Sequence, residues 1–162
     1  DNAKPAILVS GEYAKPVGTV PNLGAPYAIS AATNLEGGTD LSFAPGVELV
    51  FSIGSGVFVG WNGAQAKLKA VGTAAQPIVF RGAENTLGYW NGITIGTSAT
   101  ADSGFDHVQV KNAGLVLRRS IPVTNSSFSK SAGFGILKSA EDMSDYRLTN
   151  VFADNASGPV GM

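Results

Sequence analysis

Asp106-His-Val-Gln-Val-Lys-Asn-Ala-Gly114, Asn125-Ser-Ser-Phe-Ser-Lys-Ser-Ala-Gly133 and Asn150-Val-Phe-Ala-Asp-Asn-Ala-Ser-Gly158 are three versions of one sentence. Each begins on an Asx residue and reaches Gly eight positions later, and an apolar residue follows shortly: Val116, Ile136 and Val160. A solenoid repeats one structural unit along its axis, so a recurring signature of this kind predicts successive coils of about two dozen residues. Stacked coils would place Asp106, Asn125 and Asn150 above one another, where their side chains can satisfy neighbouring turn backbones, and would stack Lys111 on Lys130. In that register Phe128 falls beside Gln109 rather than Val110, which calls for a bulge or an inserted residue in one coil.

Outward from the repeat the chain keeps the same texture. Short apolar runs rich in Val, Ile and Phe are closed within a few residues by Gly, Pro, Asn or Ser, and helical periodicity is nearly absent. The runs at 6–9, 47–52, 56–59, 66–71, 77–80, 93–95, 105–110, 115–117, 134–137 and 147–152 read as strands. Residues 1–35, interrupted by Pro5, Pro16, Pro21 and Pro26, read as a cap or lead-in segment that covers one open end; residues 36–162 read as the coils. The last five residues look like the start of a further coil, so that edge is expected to end in a cut or to meet another chain, self-association included.

Composition narrows the function. Only 14% of the 162 residues are charged, against about 25% in an ordinary soluble domain, and the formal net charge is -1. With no basic run there is no footprint for nucleic acid. The apolar stretch from Leu49 to Ala66 contains four glycines and is read as two strands and a turn, not a membrane span. Cysteine is absent and His107 is the single histidine, so a zinc site is not expected.

The segments Leu41-Ser-Phe-Ala-Pro-Gly-Val47, Gly56-Val-Phe-Val-Gly60, Ala66-Lys-Leu-Lys-Ala-Val-Gly-Thr73, Gln76-Pro-Ile-Val-Phe80 and Tyr89-Trp-Asn-Gly-Ile-Thr-Ile95 resemble those of bacterial secreted right-handed parallel β-helix repeat proteins, in the pectate-lyase-like superfamily. The resemblance runs from about Pro26 to Gly158. It implies a right-handed parallel β-helix and a secreted or cell-envelope location. It does not imply one activity, because that architecture is shared by lyases, adhesins and surface modules.

Four sets of residues are weighed as candidate sites. Trp61-Asn62-Gly63 and Trp90-Asn91-Gly92 share a context, and with Tyr89 two exposed indoles would make a platform for sugar rings; the competing expectation is that both indoles cover coil corners. By resemblance to polysaccharide lyases, a basic residue would abstract a proton while carboxylates, often with calcium, neutralise an acidic sugar. Lys111, Lys130 and Arg118, beside Arg119, are the available bases, and Asp102, Asp106 and Asp154 the carboxylates. Asp106 next to His107 suggests an oriented imidazole, but adjacent strand residues face opposite ways, which predicts that the two do not cooperate. Glu141, Asp142 and Asp145 form the one calcium candidate, without the spacing of a calcium loop. The expectation is therefore a non-catalytic extracellular or cell-envelope module that is structural or binds glycans, with a polysaccharide lyase or glycoside hydrolase as the alternative.

Overall fold

The computed structural model describes residues 7–9, 13–61, 63 and 65–162. The chain winds through three parallel sheets, visiting each once per coil. The first coil supplies β1 (Ile7–Val9), β2 (Tyr13–Ala14) and β3 (Val17–Val20), and the second β4 (Tyr27–Ile29), β5 (Ala32–Leu35) and β6 (Asp40–Phe43). The third holds β7 (Glu48–Phe51), β8 (Gly56–Val59) and β9 (Lys67–Val71). The fourth holds β10 (Ile78–Gly82), β11 (Ile93–Ile95) and β12 (Gly104–Asp106). Then come β13 (Val108–Lys111), β14 (Leu115–Leu117) and β15 (Val123–Thr124); β16 (Ser127–Ser129) and β17 (Phe134–Lys138); and β18 (Val151–Ala153) and β19 (Gly158–Gly161). Sheet A runs β1-β4-β7-β10-β13-β16-β18, sheet B β2-β5-β8-β11-β14-β17-β19 and sheet C β3-β6-β9-β12-β15. This is a parallel β-helix, and the strands expected between residues 47 and 117 are present, except that the run at 105–110 is divided between β12 and β13. Residues 13–35, read from their prolines as an irregular lead-in, already contribute β2 to β5, paired in register with the coil that follows. No helix among the described residues is long and apolar enough to cross a membrane.

The coils are held together by columns of inward side chains. Leu49, Phe80, Val110 and Phe128 lie in one column of sheet A, and Val57, Ile93, Leu115, Ile136 and Val160 in one of sheet B. In sheet C the small Ala70 stands between Phe43 and Phe105. Phe80 fills the space so left, meeting Phe43 edge-on at 5.6 Å and Phe105 at 6.5 Å. Large and small residues thus interdigitate as close packing requires.

The register differs from the sequence expectation by one residue. Val110 pairs with Phe128 and Lys111 with Ser129, so Lys111 and Lys130 do not stack. Asp106 aligns with Thr124, the residue before Asn125. The interior decides this: one residue of slip would turn the apolar face of the strand outward. The extra residues are taken up in the corners between sheets, where side chains carry no such penalty. Asp106, Asn125 and Asn150 therefore form a staircase and not a column. It is still bonded from coil to coil: Asn125 Nδ2 donates to Asp106 Oδ1 at 2.8 Å, and Asn150 Oδ1 accepts from the Ser126 amide at 3.0 Å.

Sheet C stops at β15 because residues 139–149 fold across its edge. The run at 147–152 is accordingly a 3-10 turn, Tyr146–Leu148, followed by β18. Side chains take over where a strand would have paired: the Tyr146 hydroxyl donates to Asp142 Oδ2 at 2.7 Å and lies 3.2 Å from Ile121 O. Asn150 Nδ2 donates to Val123 O and Tyr146 O, both at 2.8 Å.

Candidate functional site

The two Trp-Asn-Gly turns, alike in sequence, occupy opposite ends of sheet B strands. Trp61 follows β8, whereas Trp90 precedes β11. Their environments diverge for a reason visible in the column of Phe51. The position paired with Phe51 in the next coil is Gly82, which offers no side chain. Tyr89 lies over Gly82, its ring 2.8 Å from where a Cβ would stand, and Trp90 stacks on Phe51, with ring centroids 3.9 Å apart and planes 9° from parallel. It is 3% exposed, and its indole N–H donates to Lys111 O at 2.8 Å. Tyr89 is half-buried beside it, and Asn91 Nδ2 donates to Gly54 O at 2.6 Å. Trp90, Tyr89 and Asn91 thus secure the corner between sheets A and B, and the two indoles do not form a joint platform. Asn62 lies outside the described residues.

Trp61 is on the surface, 49% exposed. The Arg118 guanidinium carbon sits 5.0 Å from its ring centroid, and Phe58 meets it edge-on at 6.4 Å. Phe58 belongs to β8, just before Trp61 in the same coil, and Arg118 follows β14, two coils further along sheet B, so the indole is held at a fixed tilt at the corner between sheets B and C. It rims a groove of about 390 Å³ whose wall is glycine backbone at Gly37, Gly38 and Gly60, and whose polar groups are Lys15, Glu36 and Gln65. The tight approach is enforced by Gly60, where φ is +61° and a Cβ would lie 2.3 Å from the Ala99 amide. Trp61 and Arg118 are each legible in the sequence as candidates but not as partners, and Glu36 and Gln65 are not legible at all, because Glu36, Gln65 and Arg118 belong to three different coils.

The residues that the lyase reading needs do not converge. Lys111 is on the exterior of sheet A, Lys130 is bonded to Asn85 at 2.9 Å at the corner between sheets A and B, and Arg118 is committed to Trp61. Asp102 faces Lys67 at 3.3 Å on sheet C, and Lys67 also pairs with Asp40. Asp154 is exposed at the corner that Lys130 occupies one coil earlier, both with left-handed φ. The calcium candidates also disperse. Glu141 is exposed, Asp142 is buried and accepts from Tyr146 and the Ser144 amide, and Asp145 caps the 3-10 turn and pairs with Arg147 at 2.8 Å. Among the described residues no three His, Asp or Glu side chains gather as a metal ion would require.

Asp106 and His107 overturn the expectation that they point apart. The run at 105–110 is two strands broken at His107, whose φ of +51° turns the chain from sheet C into sheet A. A left-handed residue suspends the alternation of faces, and the His107 ring folds back until Nδ1 is 3.1 Å from Asp106 Oδ2. That contact is not well aligned for a hydrogen bond, yet Nδ1 is sealed from solvent with no other polar partner, so the carboxylate is what it meets. The other carboxylate oxygen accepts from Thr124 Oγ1 at 2.9 Å and Asn125 Nδ2 at 2.8 Å. Burial acts to raise the Asp106 pKa, but the bonds from Asn125 and Thr124, with the His107 ring against the carboxylate, together outweigh it and hold the carboxyl below its ordinary value.

Compared with known proteins, the chain matches no family model, no curated protein and no solved structure.

Proposed function

We propose that the protein is a non-catalytic extracellular or cell-envelope β-helix module that binds a glycan at the Trp61 groove. The observation that carries this reading is the half-exposed indole of Trp61, fixed by Arg118 at the rim of a groove that also presents Glu36, Gln65 and Lys15. An aromatic face buries the apolar side of a pyranose while amide, carboxylate and ammonium groups bind its hydroxyls. Parallel coils supply the rigidity that holds such a surface in place. The dispersal of Lys111, Lys130 and Arg118 over three faces supports binding over cleavage.

The two tryptophans make the test direct. Trp90 is buried, so a ligand at the groove changes the emission of Trp61 alone. Titration with a panel of neutral and acidic oligosaccharides is expected to shift the red-edge emission for at least one of them, and Trp61→Phe is expected to abolish the shift while leaving the fold intact. A panel without effect on Trp61, or release of unsaturated or reducing sugars from a polymer, refutes the proposal.

A further inference from the structure

The corner between sheets C and A holds a second groove, of about 430 Å³, separated from the Trp61 groove by the width of sheet C. His107 lines it together with Thr73, Pro77, Gln109, Asn125 and Ser127. Its character is uncharged and rich in hydroxyl and amide groups, with Pro77 and Val151 as apolar patches.

His107 is the one groove residue whose chemistry is set from behind. Nδ1 is shielded from solvent and faces Asp106, while the side chain as a whole is 29% exposed, so the exposed edge of the ring is the edge that carries Nε2. Asp106 is itself fixed by Thr124 and Asn125 through its other oxygen. A carboxylate at Nδ1 selects the tautomer that has its proton there, which leaves the Nε2 lone pair toward the groove. The left-handed backbone at His107 costs about 1 kcal/mol or more in a residue other than Gly, and it is the feature that brings ring and carboxylate together. We propose that Asp106 and His107 form a built hydrogen-bond acceptor for a second saccharide subsite, in which Nε2 accepts a hydroxyl of a neutral pyranose lying across Gln109 and Ser127. This subsite goes beyond the Trp61 groove and stands independently of it.

His107 is the single histidine of the chain, so its ring nitrogens give unique NMR signals. The free protein, observed at about pH 8.5 where an ordinary imidazole is neutral, is expected to show the proton on Nδ1. Addition of cellohexaose, xylohexaose or chitohexaose is expected to move the Nε2 resonance, and His107→Ala to weaken that binding about five-fold, as for loss of one hydrogen bond. Asp106→Asn is the sharper variant. The amide can keep the bonds to Thr124 and Asn125 but offers N–H to Nδ1, so the proton should move to Nε2 and binding should fall although His107 remains. A proton on Nε2 in the free protein, or no movement of Nε2 with any of the three sugars, overturns the proposal. A response of Trp61 without His107 removes this subsite alone, and a response of His107 without Trp61 removes the first groove alone.

Discussion

Replacing Trp90 by Ala tests whether two turns of the same sequence have become a structural plug and a surface residue. The indole is 3% exposed, stacked at 3.9 Å on Phe51, and its N–H is bonded to Lys111 O. Truncation of a buried Trp to Ala generally costs about 3–5 kcal/mol, part of it from the cavity left behind. Gly82 cannot refill the space, since it contributes no side chain to the column of Phe51. A value of about 4 kcal/mol follows, with Lys111 O also losing a donor worth about 1 kcal/mol within that total. For a chain of this size each kcal/mol lowers Tm by about 2–4 °C, so Trp90→Ala should melt about 8–16 °C below the parent. Circular dichroism follows the melt, and urea titration should show a lower midpoint with an unchanged slope. Trp61→Ala, at a position 49% exposed, should lose less than about 1 kcal/mol by the same assay. Fluorescence supplies a second check, since Trp90→Ala leaves only the emission of an exposed indole. Equal losses in the two variants, or a Tm change under about 3 °C for Trp90→Ala, would refute the reasoning.

Other expectations follow from single positions. Gly92→Ala meets both a φ of +78° and the Gly114 carbonyl, 2.2 Å from the added Cβ, so a loss of at least about 2 kcal/mol is expected in denaturant titration. Asn150→Ala removes the acceptor of the Ser126 amide and the donor to Val123 O and Tyr146 O, leaving buried backbone groups unpaired; about 2–3 kcal/mol should be lost, with hydrogen exchange at Ser126 accelerated. The Asp142 carboxyl is held below its ordinary pKa: burial opposes this, and the bonds from Tyr146 and Ser144 outweigh burial. A carboxyl lowered in the folded state stabilises above its unfolded value of about 4, and that contribution fades as pH falls through the folded value. Asp102, Asp106 and Asp145 are lowered too, so Tm should drop steeply below about pH 4, and Asp142→Asn should flatten the drop.

The fold was legible because a solenoid writes its period into the chain, and turn residues are the part of that record least disguised. Its register was not legible from the same residues. Asp106 ends a strand, Asn125 occupies a left-handed corner, and Asn150 precedes the next strand, yet each is a good Asx position. Turn chemistry tolerates all three, whereas the interior accepts only Val110 against Phe128. The apolar column is therefore the better guide to alignment, and the Asx signature the better guide to the existence of coils. Residues 13–35 illustrate the converse, since prolines that suggested irregular chain stand between strands and leave the ladders intact.

The candidate sites depended on something a linear reading of strands misses, the corner. At each one the chain leaves the two-residue alternation, and side chains that would diverge in a strand can meet. His107 reaches Asp106 in this way, and Lys130 and Asp154 repeat the left-handed turn of Asn112 at the opposite corner. Asn112 and Asn125 carry a residue type tolerant of positive φ, as to a degree do His107 and Asp154, whereas Lys130 pays more for the same geometry. A residue other than Asn, at a position where a neighbouring coil uses Asn, is compensated by what its side chain does. For Lys130 the compensation is the bond to Asn85. For His107 it is the carboxylate at its back and a groove in front, which is why this corner carries a ligand-binding argument and its neighbours do not.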